Sequence, residues 1–420
     1  MSRAHTGYKG SIQHVFVFLL AFGLLATSIG CARKGLITEQ YPSDFYRVPR
    51  LLSDEPMSEN PQLIFYGDSR PGWRFHERFV RKKNWLTWKM ALLPFYEVYW
   101  MGNGIVGGIN RLRHVPDYGH RERLMVRDAV YEEAKRSKVD FIIHEGDMPT
   151  DGRRYSHWTK FIEEHKIEVP LVLEFPFLPV VGNHERTDDH VYGLPNYQAI
   201  FEYPQFYVLD SPDAAFFVVD SNLIIDQYQS IDDDEQDALF QKWFVSDDPD
   251  QPAWLERELA SRNQRFKIVV MHHPPVSMAK HYTDWNKSQN GRDLRQKRKD
   301  LLAIFQQQGV QLVLAGHDHL YEHDVVHLPD YDGASIHVVI SGGAGSPLRS
   351  GTNPNGVAEC CQVFTEDGLD VAMIRQMEIY HYCLVDIDSD RITIHVMEVT
   401  GKPEDPLRLV DEIVIGDVDA

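Results

Sequence analysis

Two histidines one residue apart, His317 and His319, follow the apolar run Leu312–Ala315 and Gly316. In an extended loop, side chains two apart point to the same side. Both imidazoles can therefore reach one spot, where neutral rings make good ligands for a divalent metal. Alone the pair is a weak signal. Its weight comes from four other places where an apolar run ends in a possible ligand: Asp68 after Gln62–Tyr66, Asp147 after Val139–Ile143, Asn183 after Phe177–Val181, and His272 after Lys267–Met271. In open α/β sheets, ligands gather at the carboxyl ends of the strands. Glycines at 67, 146, 182 and 316 permit sharp turns and close backbone approach. A mixed oxygen and nitrogen donor set suits Mn, Fe or Zn better than Ca or Mg.

The elements that must position these residues alternate between helix and strand, which means an α/β body. Helical patterning runs from His120 to Lys138, with Leu124, Val126, Val130, Tyr131 and Ala134 near one face. Further helices are expected around Trp158, Phe161 and Ile162, from Trp254 after Pro252, and over Arg292–Gln307 with Leu294, Leu301, Leu302 and Phe305 inward. Ala215–Val219 and Ile336–Ile340 read as buried strands, the latter followed by the glycine-rich 341–345. The chain ends in a hairpin, Tyr380–Ile387 with Ile392–Val399, turning at Asp388–Arg391, and these late strands belong to a second sheet. The Asp386, Asp388, Asp390 spacing lacks the glycine and glutamate of a calcium loop and reads as a turn. The acidic tracts 232–237 and 246–250 read as solvated surface.

The chain has 420 residues and a net charge of −19, from 43 basic and 62 acidic side chains. That balance disfavours nonspecific attraction to nucleic acid or anionic lipid. The first thirty residues differ in character. Arg3 and Lys9 precede a nearly uncharged run, Val15–Gly30, in the layout of an export signal. The run is short for a bilayer span. Ser28-Ile29-Gly30-Cys31 resembles a bacterial lipoprotein cleavage box with Cys31 the lipidated residue; a signal anchor and plain secretion are the alternatives. The expectation is export signal over 1–30, tether over 31–60, and one domain over 61–415. That implies an exported, membrane-anchored protein of the bacterial cell envelope, periplasmic or surface-facing. An aromatic segment, Trp85–Leu112, broken by Pro94 and several glycines, forms an insertion at about 80–115. It could be a hydrophobic cluster over the core, a lid, or an interfacial membrane contact. In an oxidising compartment Cys383 could pair with Cys360 or Cys361, or all three stay reduced.

Taken in order, Gly67-Asp68, Gly146-Asp147, Gly182-Asn-His-Glu185, His272-His-Pro-Pro275 and Gly316-His-Asp-His319 resemble the calcineurin-like metallophosphoesterase superfamily. Trp254-Leu-Glu256 and Gly316-His-Asp-His-Leu-Tyr-Glu322 are most similar to its purple-acid-phosphatase-like branch. The resemblance covers about residues 62–400. It implies an α/β/β/α sandwich of two mixed sheets flanked by helices, and two divalent or trivalent metal ions. Asp147 would bridge both, Asp68 and His319 would complete one site, and Asn183, His272 and His317 the other. His184 would sit near the leaving group, with Asp151 as its orienter, and His273 would lie behind the ligands.

Two positions depart from the pattern. Arg70 stands where the family has a ligating histidine, and Thr150 where the purple branch has a tyrosine. Water, His76, Asp151 or His144 could fill the vacated position, and Arg70 could grip the substrate phosphate with its planar fork. Without a tyrosinate ligand, even a ferric form should lack a strong purple band. The implied activity is hydrolysis of a phosphate ester, monoester or diester, by a hydroxide on a dinuclear centre, with His281 a candidate substrate contact and a phosphorylated small molecule as the partner. The competing class is a surface lipoprotein that binds a phosphorylated ligand at one metal or none, without turnover.

Overall fold

The computed structural model describes residues 34–48, 58–71, 119–169, 171–186, 193–225, 251–286, 288–289, 292–351 and 354–416. The export signal, Cys31, residues 31–33 and 49–57 of the tether, the aromatic insertion, His76 and both acidic tracts lie outside them. Among the described residues no helix is long and apolar enough to cross a membrane.

Thirteen strands that matter to the site are numbered here in chain order: β1 Gln62–Tyr66, β2 Phe141–His144, β3 Phe177–Pro179, β4 Tyr207–Asp210, β5 Ala214–Val219, β6 Phe266–Met271, β7 Val310–Ala315, β8 Tyr321–His327, β9 Ile336–Ser341, β10 Asp370–Met377, β11 His381–Ile387, β12 Arg391–Lys402 and β13 Asp405–Gly416. They form two mixed sheets. One has the order β13-β12-β11-β1-β2-β3, the other β10-β8-β9-β7-β6-β5-β4. In the first, β1, β2 and β3 are parallel; in the second, β5, β6, β7 and β9 are parallel. The C-terminal hairpin expected from the sequence is a three-stranded meander, because β13 pairs along β12 from Gly416 to Asp405. Its outward face is half-buried at best, so its hydrophobic pattern is weak in the sequence.

The alternation of β5 shows the layering. Phe216 and Val218 join the core shared with the first sheet, whereas Phe217 and Val219 pack with Leu255, Leu259, Leu302 and Phe305 of the helices Gln251–Ser261 and Leu294–Gln307. Phe141 of β2 meets Phe216 of β5 edge to face, with ring centroids 5.3 Å apart. The helices His120–Ser137 and Tyr155–Ile162 contribute Val126, Val130, Trp158 and Phe161 to the first core. The result is the α/β/β/α arrangement that the family resemblance implied, built on the α/β body read from the strand and helix alternation.

Among the described residues the three cysteines, Cys360, Cys361 and Cys383, are free thiols. Cys383 Sγ faces Ser341 Oγ in the inter-sheet core, while Cys360 Sγ faces the Met278 carbonyl on the helix side of the second sheet. A sheet separates them, so the pairing of Cys383 with either neighbour does not form.

Two stability predictions follow from this packing. Phe216→Ala should lower the unfolding free energy by about 3–5 kcal/mol, read from urea denaturation of the full-length chain. His165 is buried against Phe161, donates Nδ1–H to the Phe161 carbonyl at 2.9 Å, and is driven by burial down to a pKa of about 4. A base kept neutral in the fold binds its proton on unfolding below about pH 6.5, so the unfolded chain holds more protons there. Stability should therefore fall as pH drops from about 6.5 toward 4, and His165→Gln should flatten that slope in denaturation curves taken across the range.

Candidate metal centre

Five parallel strands from two sheets end along one seam. β1 leads to Asp68, β2 to Asp147 and β3 to Asn183; β6 leads to His272 and β7 to His317. Backbone hydrogen bonds stitch the seam: Gly67 N–H donates to the Ser341 carbonyl at 2.9 Å, Ala344 N–H to Gly67 at 3.0 Å, and Gly316 N–H to His272 at 3.1 Å. The sharp turns fall on the ligands themselves. Asp68, Asp147 and His317 have φ of 64°, 58° and 71°, a left-handed conformation that costs a non-glycine residue about 1–3 kcal/mol and clusters at functional sites. The neighbouring glycines supply space. A Cβ on Gly182 would lie 2.5 Å from Asp147 Oδ1, and one on Gly316 2.7 Å from Asp68 Oδ2.

All six expected ligands come together. His272 Nε2 lies 3.1 Å from Asn183 Oδ1, 3.1 Å from His317 Nδ1 and 3.3 Å from Asp147 Oδ1. Donors bonded to one ion at about 2.0–2.2 Å are separated by about 3.0–3.5 Å in tetrahedral or octahedral sets, so these four residues fit a cation. For the other set, His319 Nε2 is 3.4 Å from Asp68 Oδ1, a buried carboxylate oxygen without a hydrogen-bond partner. Asp68, Asp147 and His272 present donor atoms within 4.8 Å of one another, as do His272, His273 and His317. Both sets fit metal binding.

The ring orientations are fixed from behind, as metal-binding histidines require. His272 Nδ1–H donates to the Glu145 carbonyl at 2.7 Å, His319 Nδ1–H to Pro347 at 2.9 Å, and His317 Nε2–H to Asp284 Oδ2 at 2.9 Å. Each leaves its other nitrogen facing the seam. Burial keeps all three rings below the ordinary histidine range; for His319 the charges of Arg349 and Arg70 act in the same direction. His273 turns Nδ1 to Ser221 Oγ at 2.8 Å and packs against His317. The two carboxyls diverge. Burial and the charge of Asp147 push Asp68 well above the carboxylate range. Burial opposes ionisation of Asp147 too, but His184, His272 and Arg70 outweigh it and hold the group well below.

Arg70 points into the centre. Its Nε is 3.3 Å from Asp147 Oδ2 and its Nη2 3.5 Å from His319 Nε2, so the guanidinium stands among the first-set donors. The side chains considered as replacements lie elsewhere. His144 turns Nε2 to Ser69 Oγ and is enclosed by Tyr66, Phe161 and Phe177. Thr150 Oγ1 donates to the Pro71 carbonyl. Asp151 is engaged by Arg153 and Arg154, which outweigh its burial and lower its pKa to about 2. It does not orient His184; the Thr150 carbonyl does, accepting Nδ1–H at 2.6 Å. His281 is not open to substrate either, because Asp284 Oδ2 takes Nδ1 at 2.7 Å and Arg349 meets Nε2.

Three residues acquire site roles that only the structure assigns. Glu185 receives N–H bonds from Asp147, Met148 and Gly182, tying the β2 and β3 loops together. Asp284 holds both His317 and His281, and these bonds outweigh burial and keep its carboxyl far below the usual range. Arg349 ends the glycine-rich loop after β9. The sequence signal for it was that β9 is another buried run followed by glycines.

Comparison with known proteins agrees with this geometry. Residues 114–321 match the family model for calcineurin-like phosphoesterases. The chain carries a calcineurin-like phosphoesterase domain. It is 25% identical over 256 residues to purple acid phosphatase 17 of Arabidopsis thaliana, covering 57% of this chain and 70% of that protein. It is 23% identical over 187 residues to a probable glycerophosphodiester phosphodiesterase of Arcobacter nitrofigilis, covering 44% of this chain and 58% of that protein. Its fold is similar to that of a purple acid phosphatase from yellow lupin seeds, with a TM-score of 0.51 and 15% identity over 86% of this chain and 55% of the lupin chain. The family and the purple acid phosphatases use two metal ions, and this phosphoesterase domain has His and Asp groups able to bind metal. The matched span holds Asp147, Asn183, His272, His317 and His319, while Asp68 and Arg349 reach the centre from outside it.

Because Asp284 orients His317 through its outer nitrogen, Asp284→Asn in the phosphoesterase domain should weaken metal binding about 10–100-fold, measured by competition with a chelator.

Proposed function

We propose that this chain hydrolyses phosphate esters at a two-cation centre, with Asp147 bridging, Asp68 and His319 on one side, and Asn183, His272 and His317 on the other. The convergence of five strand ends on one point, with left-handed backbone at Asp68, Asp147 and His317, is the observation that carries this reading. Bound cations would supply Lewis-acid polarisation of the phosphoryl oxygens and a nucleophilic water of lowered pKa. The chain's own residues do the rest. Asp147 is held ionised with the Arg70 guanidinium 3.3 Å away, and the neutral rings of His272, His317 and His319 offer lone pairs inward. His184 is fixed by Thr150, and its side chain is a quarter exposed while the ligand carboxylates are buried. Its Nε2, 3.7 Å from Asp147 Oδ2, is the ring atom left to exchange a proton with a leaving oxygen. Arg70 brings a planar cation matched to phosphate oxygens.

One observation favours a second reading. The Arg70 guanidinium, within 3.5 Å of His319 and 3.3 Å of Asp147, supplies a positive charge among the first-set donors. A chain using it in that way would hold one metal and bind a phosphorylated ligand without turnover.

Metal analysis with assays on an aryl phosphate and its diester separates the two. The hydrolase should carry two metals, and Asp147→Asn or His317→Ala should cut turnover by more than about 100-fold, the upper end for losing even an outer partner of a ligand. Unchanged turnover in both variants would reject the centre; one metal or none, with no hydrolysis of either ester, would favour the second reading. The leader sequence supports a further part of the proposal: export, with attachment to the bacterial cell envelope through lipid on Cys31.

A further inference from the structure

The loop after β9 is laced to every residue on the Asp68 side of the centre. Ser346 N–H donates to the Asp68 carbonyl at 3.0 Å, Ser346 Oγ–H to the Arg70 carbonyl at 3.0 Å, the Pro347 carbonyl receives His319 Nδ1–H, and Arg349 N–H donates to the His319 carbonyl at 3.0 Å. At its end, the Arg349 side chain is pinned by a chain of contacts that begins at a ligand: His317 Nε2 to Asp284, Asp284 to His281 Nδ1, and His281 Nε2 to Arg349. His281 is a spacer in this chain.

The guanidinium so placed lies within electrostatic reach of Arg70, Asp318, Asp68 and Asp147; burial and the charge of Arg70 both push it below its usual range. Arg349 reaches this centre through the His319 carbonyl and His281, and Arg70 through Asp147 and His319; two like charges brought to one buried centre are costly unless an anion joins them. Asp318 is already engaged by Ser277 Oγ and the His281 N–H, and Asp68 and Asp147 are the proposed metal ligands. The partner that suits both forks is therefore an exogenous anion. A phosphate monoester carries close to two negative charges at neutral pH and three terminal oxygens. A diester carries one charge and two terminal oxygens, and its second substituent occupies the place of the third.

We propose that Arg349 is a second grip on the substrate phosphoryl group, held in place by the His281–Asp284 pair, and that it makes phosphate monoesters the preferred substrate class. The proposal rests on the hydrolase reading above.

The test uses the full-length, metal-loaded protein with Arg349→Gln and Arg349→Lys. It measures kcat/KM on an aryl phosphate and on its bis-aryl diester, and the Kd of inorganic phosphate by calorimetry, with metal content and circular dichroism to confirm folding. Wild type should favour the monoester. Arg349→Gln should lower monoester kcat/KM about 100-fold and weaken phosphate binding about 10-fold or more, as loss of a charge-assisted hydrogen-bonding group does. Diester turnover should change less than about 3-fold, since that substrate lacks the oxygen the second fork takes. Arg349→Lys should recover only part of the loss, because an ammonium is a point charge without the fork, and it carries the test if Arg349→Gln misfolds. Equal losses on both esters, or an unchanged phosphate Kd, overturn the proposal. Wild type that hydrolyses neither ester ends the hydrolase reading instead, and the phosphate Kd values then still decide whether Arg349 grips a phosphoryl group.

Discussion

Two buried carboxylates, Asp68 and Asp147, are held close together, with donor atoms within 4.8 Å of each other and of His272. At that distance, and at the effective dielectric that describes protein sites, two unit charges repel by about 3–4 kcal/mol. Much of the surrounding structure answers that repulsion. Arg70 and Arg349 bring positive charge, the His317 N–H donates to Asp68 Oδ2 at 2.7 Å, and the His184 N–H donates to Asp147 Oδ1 at 3.0 Å. Even so, one Asp68 oxygen is left buried without a hydrogen-bond donor. A carboxylate pair of this kind is stable where a cation joins it, and that requirement links the fold to the proposed chemistry.

The fold meets the requirement at the seam between its sheets. Neither sheet alone holds a complete donor set: Asp68, Asp147 and Asn183 follow strands of the first, His272 and His317 follow strands of the second. Packing such as Phe141 on Phe216 sets the spacing of the two sheets, and the seam converts that spacing into donor separations near 3 Å. The left-handed turns at three ligands are costly, and they persist because glycines give room beside them and Glu185 ties two of the loops through three backbone donors. Asp318, between the two histidines, turns away to Ser277 and His281 and fastens the 272–281 loop to the 317–319 turn.

Much of the centre was legible before any tertiary information. Six candidate ligands and their assignment to strand ends follow from short apolar runs closing on Gly and a donor residue, a pattern local enough to read along the chain; the two-sheet sandwich was implied by the family resemblance. The family resemblance offered Asp151 as the orienter of His184, but Asp151 lies two and three residues before Arg153 and Arg154, which engage it, and the Thr150 carbonyl takes the ring instead. His281 looked like a substrate contact by its distance from His272; its neighbours in space, Asp284 and Arg349, use both nitrogens. The third strand of the C-terminal meander was missed because its half-exposed pattern carries little alternation.

What the sequence by itself determined is the set of candidate metal-ligating residues and the strand ends that carry them, because side-chain direction and turn chemistry are set within a few residues. What only the tertiary structure decided is which groups stand behind and between those residues: Asp284 behind His317, Arg70 among the first-set donors, Arg349 against His281. Those relations join residues tens to hundreds of positions apart, brought together by the packing of one sheet on another, and no local pattern encodes a distance across that interface.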